Sequence, residues 1–145
     1  MHRLLFLALI ILLTGCDPVF ILPGGKLGGD LSAVPDSWPA IDDVKTIQLE
    51  TNVQDPYSVN IWAITLGSIV YVHAGDNRST WVENMEADPN VRIRVDGKLF
   101  ELKASRVTSA DEFKTFSDAY EKKYGSRPRN ENVAEAYLFR LEQSV

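Results

Sequence analysis

The chain has 145 residues, 45% hydrophobic and 24% charged, which suits one globular domain with a core and leaves no room for two. Its 20 acidic and 15 basic residues give a formal net charge of −5, which argues against nucleic acid as a partner. A single cysteine, Cys16, excludes a disulfide within the chain and a cysteine–histidine nucleophile pair in a mature domain.

The first residues are typical of a secretory signal. Arg3 gives a positive start, and the apolar run Leu4 to Leu13 is too short to span a bilayer. The next residues, Leu13-Thr14-Gly15-Cys16, resemble the lipobox of bacterial lipoproteins, in which cleavage precedes the cysteine and the thiol is acylated. The resemblance implies a signal peptide over residues 1–15 and a lipid anchor, palmitate included, on Cys16. The alternative is an ordinary signal peptide with a stray thiol.

Lipidation would hold the protein at the bacterial cell membrane, outside the cytoplasm. Asp17, directly after the cysteine, resembles the signal that retains lipoproteins in the inner membrane. Residues 16–39 are rich in proline and glycine and predict a flexible tether, with Trp38 as its docking point on the domain. The folded domain is then predicted over residues 40–145.

Apolar residues in this domain alternate mostly with a period of two, which predicts strands. The predicted strands cover 44–53, 59–64, 69–74, 91–95, 99–107 and 135–143. Gly67-Ser68 and Asp96-Gly97 are hairpin turn signals. The last segment is rich in helix-forming residues, so a helix is the alternative for it.

Two segments change to helical periodicity. Thr80 and Glu83 form a potential capping box for a short helix, which Asp88-Pro89 ends. Ser109 and Glu112 form a second capping box, followed by an aromatic stripe that is typical of core packing. That stripe consists of Phe113, Phe116, Tyr120 and Tyr124, and Gly125 is the predicted C-cap.

These elements predict a mainly β domain with α+β decoration: a six-stranded antiparallel barrel with one short and one longer helix. The order of the elements and the stretch "YVHAGDNRSTWVENMEADPNVRIRVDGKLFELKASRV" resemble the FMN-binding split barrel of pyridoxamine-phosphate-oxidase-like proteins. The similarity is greatest to their deazaflavin-dependent nitroreductase relatives. The resemblance implies FMN or a deazaflavin as cofactor and a homodimer as the assembly.

One turn departs from that family. Relatives that hold a phosphorylated cofactor commonly carry a Gly-Arg-x-Ser-Gly turn before the second strand. The corresponding residues here, Thr51 to Ser58, contain no arginine, lysine or glycine, and they include Asp55. Because a carboxylate repels a phosphate, this turn weakens the case for the usual cofactor.

The start of the first helix offers an alternative anion site. Arg78, Ser79 and Thr80 together supply a cation, hydroxyl groups and the free amides of a helix N-terminus, and Trp81 directly behind them completes this candidate set. The alternative is that Arg78 is solvated while Ser79 or Thr80 merely caps the helix.

Two further residues are candidates for contacting a ligand. His73 ends a buried strand beside the same turn and could contact a ligand or donate a proton, although backbone hydrogen bonding is the alternative. Trp62 could stack on a planar ring, although core or interface packing is the alternative. The residues present provide no histidine-rich metal site in the mature domain.

Two functions follow from these features. The first is a membrane-anchored, non-catalytic module that binds a small planar ligand or a partner protein at the cell envelope. The second is a flavin- or deazaflavin-dependent oxidoreductase similar to nitroreductases, in which the protein mainly positions the cofactor.

Overall fold

The computed structural model describes residues 17–144, so the predicted signal peptide and Cys16 lie outside the described residues. It has seven strands: β1 (Asp30–Leu31), β2 (Thr46–Thr51), β3 (Tyr57–Leu66), β4 (Ile69–His73), β5 (Asn90–Val95), β6 (Lys98–Arg106) and β7 (Leu138–Glu142). Its three helices are α1 (Pro39–Asp42), α2 (Thr80–Ala87) and α3 (Ala110–Tyr124). Between residues 17 and 144, no helix is long and apolar enough to cross a membrane.

Six of the strands form a closed antiparallel barrel. They follow the order β6-β5-β2-β3-β4-β7, and β7 pairs with β6 to close the ring. The short strand β1 lies outside and pairs in parallel with the start of β6, through Asp30 opposite Lys98 and Leu31 opposite Leu99. The predicted six-stranded split barrel is therefore confirmed, and β1 and α1 are additions to it.

The period of two places apolar side chains in the barrel. Along β5, Val91, Ile93 and Val95 are buried, whereas Arg92 and Arg94 alternate with them on the outer face. The hairpin from β5 to β6 turns through Asp96-Gly97, with φ of 49° and 73°. Two positive φ values are typical of the tight turn that matches strand twist, so this predicted hairpin is confirmed.

The closing segment is a strand and not a helix. Leu141 of β7 faces Val70 of β4 on one side and Ala104 of β6 on the other. The good helix propensity of this segment is overridden because backbone groups pair on both sides and its apolar residues are buried.

The start of α2 differs from the predicted capping box. Thr80 is the first helical residue, and Ser79 is the N-cap but makes no side-chain capping bond. The carboxylate of Glu83 does not reach back to the N-cap and pairs instead with Arg78, at 3.1 Å between Oε1 and Nη1. The capping-box prediction is therefore wrong for α2.

The second capping box is partly confirmed at α3. The Ser109 hydroxyl accepts a hydrogen bond from the Glu112 amide at 3.3 Å, and Gly125 ends the helix with φ of 80°. The Glu112 side chain is used elsewhere, because it accepts a hydrogen bond from Tyr71.

Residues 17–39, for which the sequence predicts a flexible tether, lie against the barrel. Leu27 and Trp38 are buried, and Trp38 Nε1 donates to the Ser68 carbonyl at 2.8 Å. Gly29 runs so close to β6 that an added Cβ would lie 2.6 Å from the Gly97 carbonyl oxygen. Glycine is needed here because two backbones approach closely. The glycine content that indicates a flexible tether therefore also allows this segment to pack on the barrel.

Replacing Leu27 by alanine should lower the free energy of unfolding by about 2–4 kcal/mol, the usual cost of truncating a buried leucine. The matched control is Leu31→Ala, which removes an exposed leucine from the same segment and should change stability by less than about 0.5 kcal/mol. Urea denaturation of both variants measures the difference. Equal stabilities would mean that the segment is detached from the barrel in solution.

Candidate ligand-binding site

A cavity of about 200 Å³ lies between the outer face of β3 and β4 and the helix α3. Its lining includes two residues that the sequence analysis predicts as ligand contacts, His73 and Trp62. The complete lining is Asn60, Ile61, Trp62, Ala63, Ile64, Tyr71, His73, Phe116 and Tyr120. We call this space the His73 cavity.

The imidazole of His73 is neutral and is surrounded by aromatic rings. Its ring lies among those of Phe113, Phe116 and Tyr120, at centroid distances of 6.1, 5.5 and 6.4 Å. Burial lowers its pKa from 6.5 to about 4, so it carries no charge at neutral pH. Its buried Nε2 has no hydrogen-bond partner within residues 17–144, which leaves one polar atom in the cavity wall unsatisfied.

Trp62 is partly committed to packing. Its ring stacks on Tyr124 at a centroid distance of 4.3 Å and an interplanar angle of 15°, while Lys45 Nζ lies 5.1 Å from its centroid. Tyr124 is fixed in turn, because its hydroxyl accepts a hydrogen bond from the Ala63 amide at 3.0 Å. Trp62 is nevertheless 38% exposed, so it forms the outer wall of the His73 cavity.

The predicted anion site lies in the turn between β4 and α2 and is not part of the cavity lining. Arg78 is exposed and pairs with Glu83 and Glu86 at 3.1 and 2.7 Å. Such solvent-exposed pairs are weak because water screens them, so they hold the guanidinium weakly against a competing anion. The pKa of Arg78 is raised, chiefly by its hydrogen bond to Glu86.

The neighbours of Arg78 have different environments. The Ser79 hydroxyl is buried and has no hydrogen-bond partner in the part of the chain that the structure describes, and Thr80 is exposed at the first position of the helix. Because the N-cap residue Ser79 makes no side-chain capping bond, the amides at the N-terminus of α2 keep their capacity to bind an anion. Trp81 faces the barrel core, where it packs edge-on against Phe139 at 6.4 Å.

The sequence did not assign Tyr71, Phe116 and Tyr120 to the site. Phe116 and Tyr120 belong to the aromatic stripe of α3, and the helical period that identifies this stripe does not distinguish core packing from a cavity wall. Burial raises the pKa of Tyr120 and of Tyr71, so both phenols stay protonated and neutral. The Tyr71 hydroxyl donates to Glu112 Oε1 at 2.9 Å.

A second cavity of about 470 Å³ lies on the outer face of β2, β5 and β6. Glu50 and Arg92 form its ion pair, at 2.6 Å between Oε1 and Nη2, and Val53 and Gln54 line it from the loop before β3. Lys26, from the N-terminal segment, supplies a cation beside the loop that has none of its own. Its position beside the loop is decided only by tertiary structure.

The His73 cavity fits the edge of a planar ring better than it fits a whole cofactor. Cavities that bury a drug-sized ligand usually measure about 300–1,000 Å³, so the remainder of a larger molecule would lie outside. Aromatic walls and one unpartnered imidazole nitrogen suit a flat, neutral heterocycle.

The family model of F420H(2)-dependent quinone reductases matches residues 68–133, somewhat under half of the chain. No curated protein matches the chain. Among solved structures, an F420 reductase superposes with a TM-score of 0.51 at 15% identity, covering 77% of this chain and 97% of that one. General Stress Protein 26 from Bacillus anthracis gives 0.55 at 19% identity over 71% and 82%. An FAD-binding protein from Mesorhizobium loti gives 0.51 at 13% over 73% and 86%.

These likenesses show the split-barrel fold, and the matched segment runs from the turn before β4 through α3. It therefore contributes four residues of the cavity wall, which lie on two elements. They are Tyr71, His73, Phe116 and Tyr120.

The low pKa of His73 should make the protein less stable in mild acid. The unfolded chain binds a proton at His73 near pH 6.5, whereas the folded chain does so only near pH 4. Stability should therefore fall as pH drops through this window, by about 3 kcal/mol, and this contribution should level off below pH 4. Urea denaturation of wild type and His73→Gln at each pH isolates the effect. Parallel stability profiles would contradict the burial of the imidazole.

Proposed function

We propose that this chain is a deazaflavin- or flavin-dependent oxidoreductase, similar to quinone reductases and nitroreductases, that is anchored to the bacterial membrane by lipid on Cys16. The observation that carries the proposal is that His73, whose buried Nε2 has no partner among the described residues, lies in the wall of a cavity lined by aromatic rings. The family-model match to the segment that provides four of the nine lining residues, His73 among them, supports it.

The chain's own residues would bind and orient the cofactor. When bound, such a cofactor supplies hydride transfer. His73, neutral at physiological pH, would hydrogen-bond a heteroatom of the ring, while Phe116 and Tyr120 would contact the ring without adding charge. With no charged side chain in the lining, the cavity favours a neutral ring edge over an ion.

A phosphate on the same ligand would lie outside the cavity. Arg78 follows His73 by five residues and sits immediately before the uncapped amides of α2. Exchange of its exposed partners Glu83 and Glu86 for a phosphate costs little, because these pairs are weak in water. Arg78 and the N-terminus of α2 together could therefore bind an anion.

A second candidate function is a non-catalytic module that binds a smaller planar ligand, or a partner protein, at the cell envelope. It is favoured by the size of the His73 cavity, about 200 Å³, and by the lack of basic residues from Thr51 to Ser58. In either function the lipid anchor is the same, Asp17 favours retention at the inner membrane, and a homodimer is the expected assembly.

Titration of the purified full chain with coenzyme F420 and with FMN should distinguish the two functions. The oxidoreductase should bind one of them tightly enough to quench its fluorescence, and the loaded protein should reduce a soluble quinone in the presence of a hydride donor. His73→Ala should weaken this binding by roughly tenfold, since one hydrogen bond to a buried polar group is lost. If the chain bound neither cofactor, the oxidoreductase function would be excluded and the ligand-binding module would be the remaining candidate.

The role of Arg78 can be tested with two flavins that differ only in the phosphate. Arg78→Ala should weaken FMN binding by roughly tenfold, the loss expected for one charge-assisted contact, and should leave riboflavin binding unchanged. Arg127→Ala, which removes another exposed arginine that pairs with carboxylates, is the control and should affect neither ligand. An equal loss for both flavins would assign Arg78 a structural role, and no loss for either would remove it from the site.

A further inference from the structure

An apolar hairpin projects from the N-terminal end of the described chain. Val19 and Leu22 pair through their backbones, at 3.1 and 2.8 Å between nitrogen and oxygen, and Phe20 and Ile21 form the tip. All four side chains face solvent, and the two tip residues are the most exposed, at 86% and 95%. We call Val19–Leu22 the apolar tip.

The tip is held in place by polar contacts at its base. The Asn60 side-chain amide donates to the carbonyls of Pro18 and Phe20, at 3.0 and 3.1 Å. Asp17 pairs with Arg94 of β5 at 2.8 Å. Phe20 adopts a φ of 52°, a conformation that costs energy for a bulky residue. The contacts fix a hairpin that exposes its apolar residues instead of burying them against the barrel.

This exposure is concentrated at one point. The other large apolar residues that are exposed within residues 17–144 are scattered singly along the chain: Leu31, Val44, Val53 and Trp62. Isolated exposed apolar residues are ordinary on protein surfaces, whereas four in succession on a projecting turn indicate an interaction with an apolar partner.

The sequence places that partner close by. Phe20 is four residues beyond Cys16, and four residues span at most about 14 Å even when fully extended. If Cys16 carries lipid, the bilayer surface lies within that distance of the tip. Asp17, the residue after Cys16, contacts Arg94 of β5, so little chain separates the anchor from the barrel in this arrangement.

We propose that the apolar tip inserts into the lipid bilayer beside the acylated Cys16 and fixes the orientation of the barrel on the membrane. This inference rests on the proposed lipid anchor. The aromatic and aliphatic side chains at the tip suit the boundary between headgroups and acyl chains, about 5–10 Å deep. Because Asn60 holds the tip and also lines the His73 cavity, insertion places that cavity next to the membrane surface.

The depth of the tip can be measured with the full chain in vesicles of phosphatidylethanolamine and phosphatidylglycerol. Ile21→Cys places an environment-sensitive fluorophore at the tip, and Phe20→Cys serves as a second position. Val44→Cys is the matched control, since it is an exposed apolar residue outside the tip. Two quenchers are compared: aqueous iodide, and a spin label near the headgroup end of the lipid chain.

The tip labels should be protected from iodide several-fold relative to Val44→Cys and quenched by the lipid-borne spin label. Equal access of iodide to tip and control would overturn the inference. Protection from iodide without quenching from the lipid would also overturn it, because the tip would then contact a second protein copy. Labelling of wild type would reveal a free Cys16 thiol and contradict both anchor and insertion. An FMN titration of the same samples reports on the oxidoreductase proposal independently.

Discussion

Closure of the barrel between β6 and β7 is the constraint on which the rest of the structure depends. These strands are neighbours in space, from Lys103 opposite Glu142 to Arg106 opposite Phe139, yet α3 separates them in sequence. After β6 the chain must return to pair with it as β7. The connection between the two strands contains α3, which packs on the outer face of β3 and β4. The same closure buries Leu141 between two strands and removes the edges that an open sheet would expose. The His73 cavity is the space left where the aromatic stripe of α3 meets that outer face.

The other side of the barrel is organised by Glu50. Its carboxylate accepts two hydrogen bonds from Arg92 of β5 and a third from the backbone amide of Leu27, so one buried acid ties two strands to the N-terminal segment. Removing one member of such a set leaves buried polar groups unpaired, which costs more than the pair itself contributes. Through this contact, and through buried Leu27 and Trp38, the residues after Cys16 become part of the domain. The apolar tip therefore has a fixed place relative to the His73 cavity.

The candidate site was predictable in part. His73 and Trp62 were recognisable from their places on strands, and the structure brings them into one cavity. Arg78, Ser79 and Thr80 lie together in the predicted turn, but the carboxylates that pair with Arg78 belong to the helix itself, and Trp81 turns into the core. The aromatic residues of α3 were identified from the sequence, but not their role in the cavity wall. Helical periodicity shows which face of a helix is apolar, but it does not show what that face packs against. The capping-box prediction for α2 was wrong for a related reason. Serine and threonine are both good N-cap residues, so the sequence does not distinguish Ser79 from Thr80, and only the backbone geometry shows that Ser79 is the N-cap.

The sequence by itself determined β2 to β6, the two longer helices and the Asp96-Gly97 hairpin, since alternation and turn chemistry are local properties of the chain. It left β7 open between strand and helix and did not predict β1. The short turns after β3 and β5 predict antiparallel hairpins, whereas closure of the barrel joins β6 to β7, two strands that α3 separates in sequence. Tertiary structure alone decided that residues 17–39 lie on the barrel, that Lys26 lies beside a loop without cations, and that the pKa of His73 is lowered by burial. Each of these depends on contacts between residues distant in sequence. A proline- and glycine-rich segment has the same composition whether it is solvated or packed, and a histidine has its ordinary pKa until a fold excludes water from it.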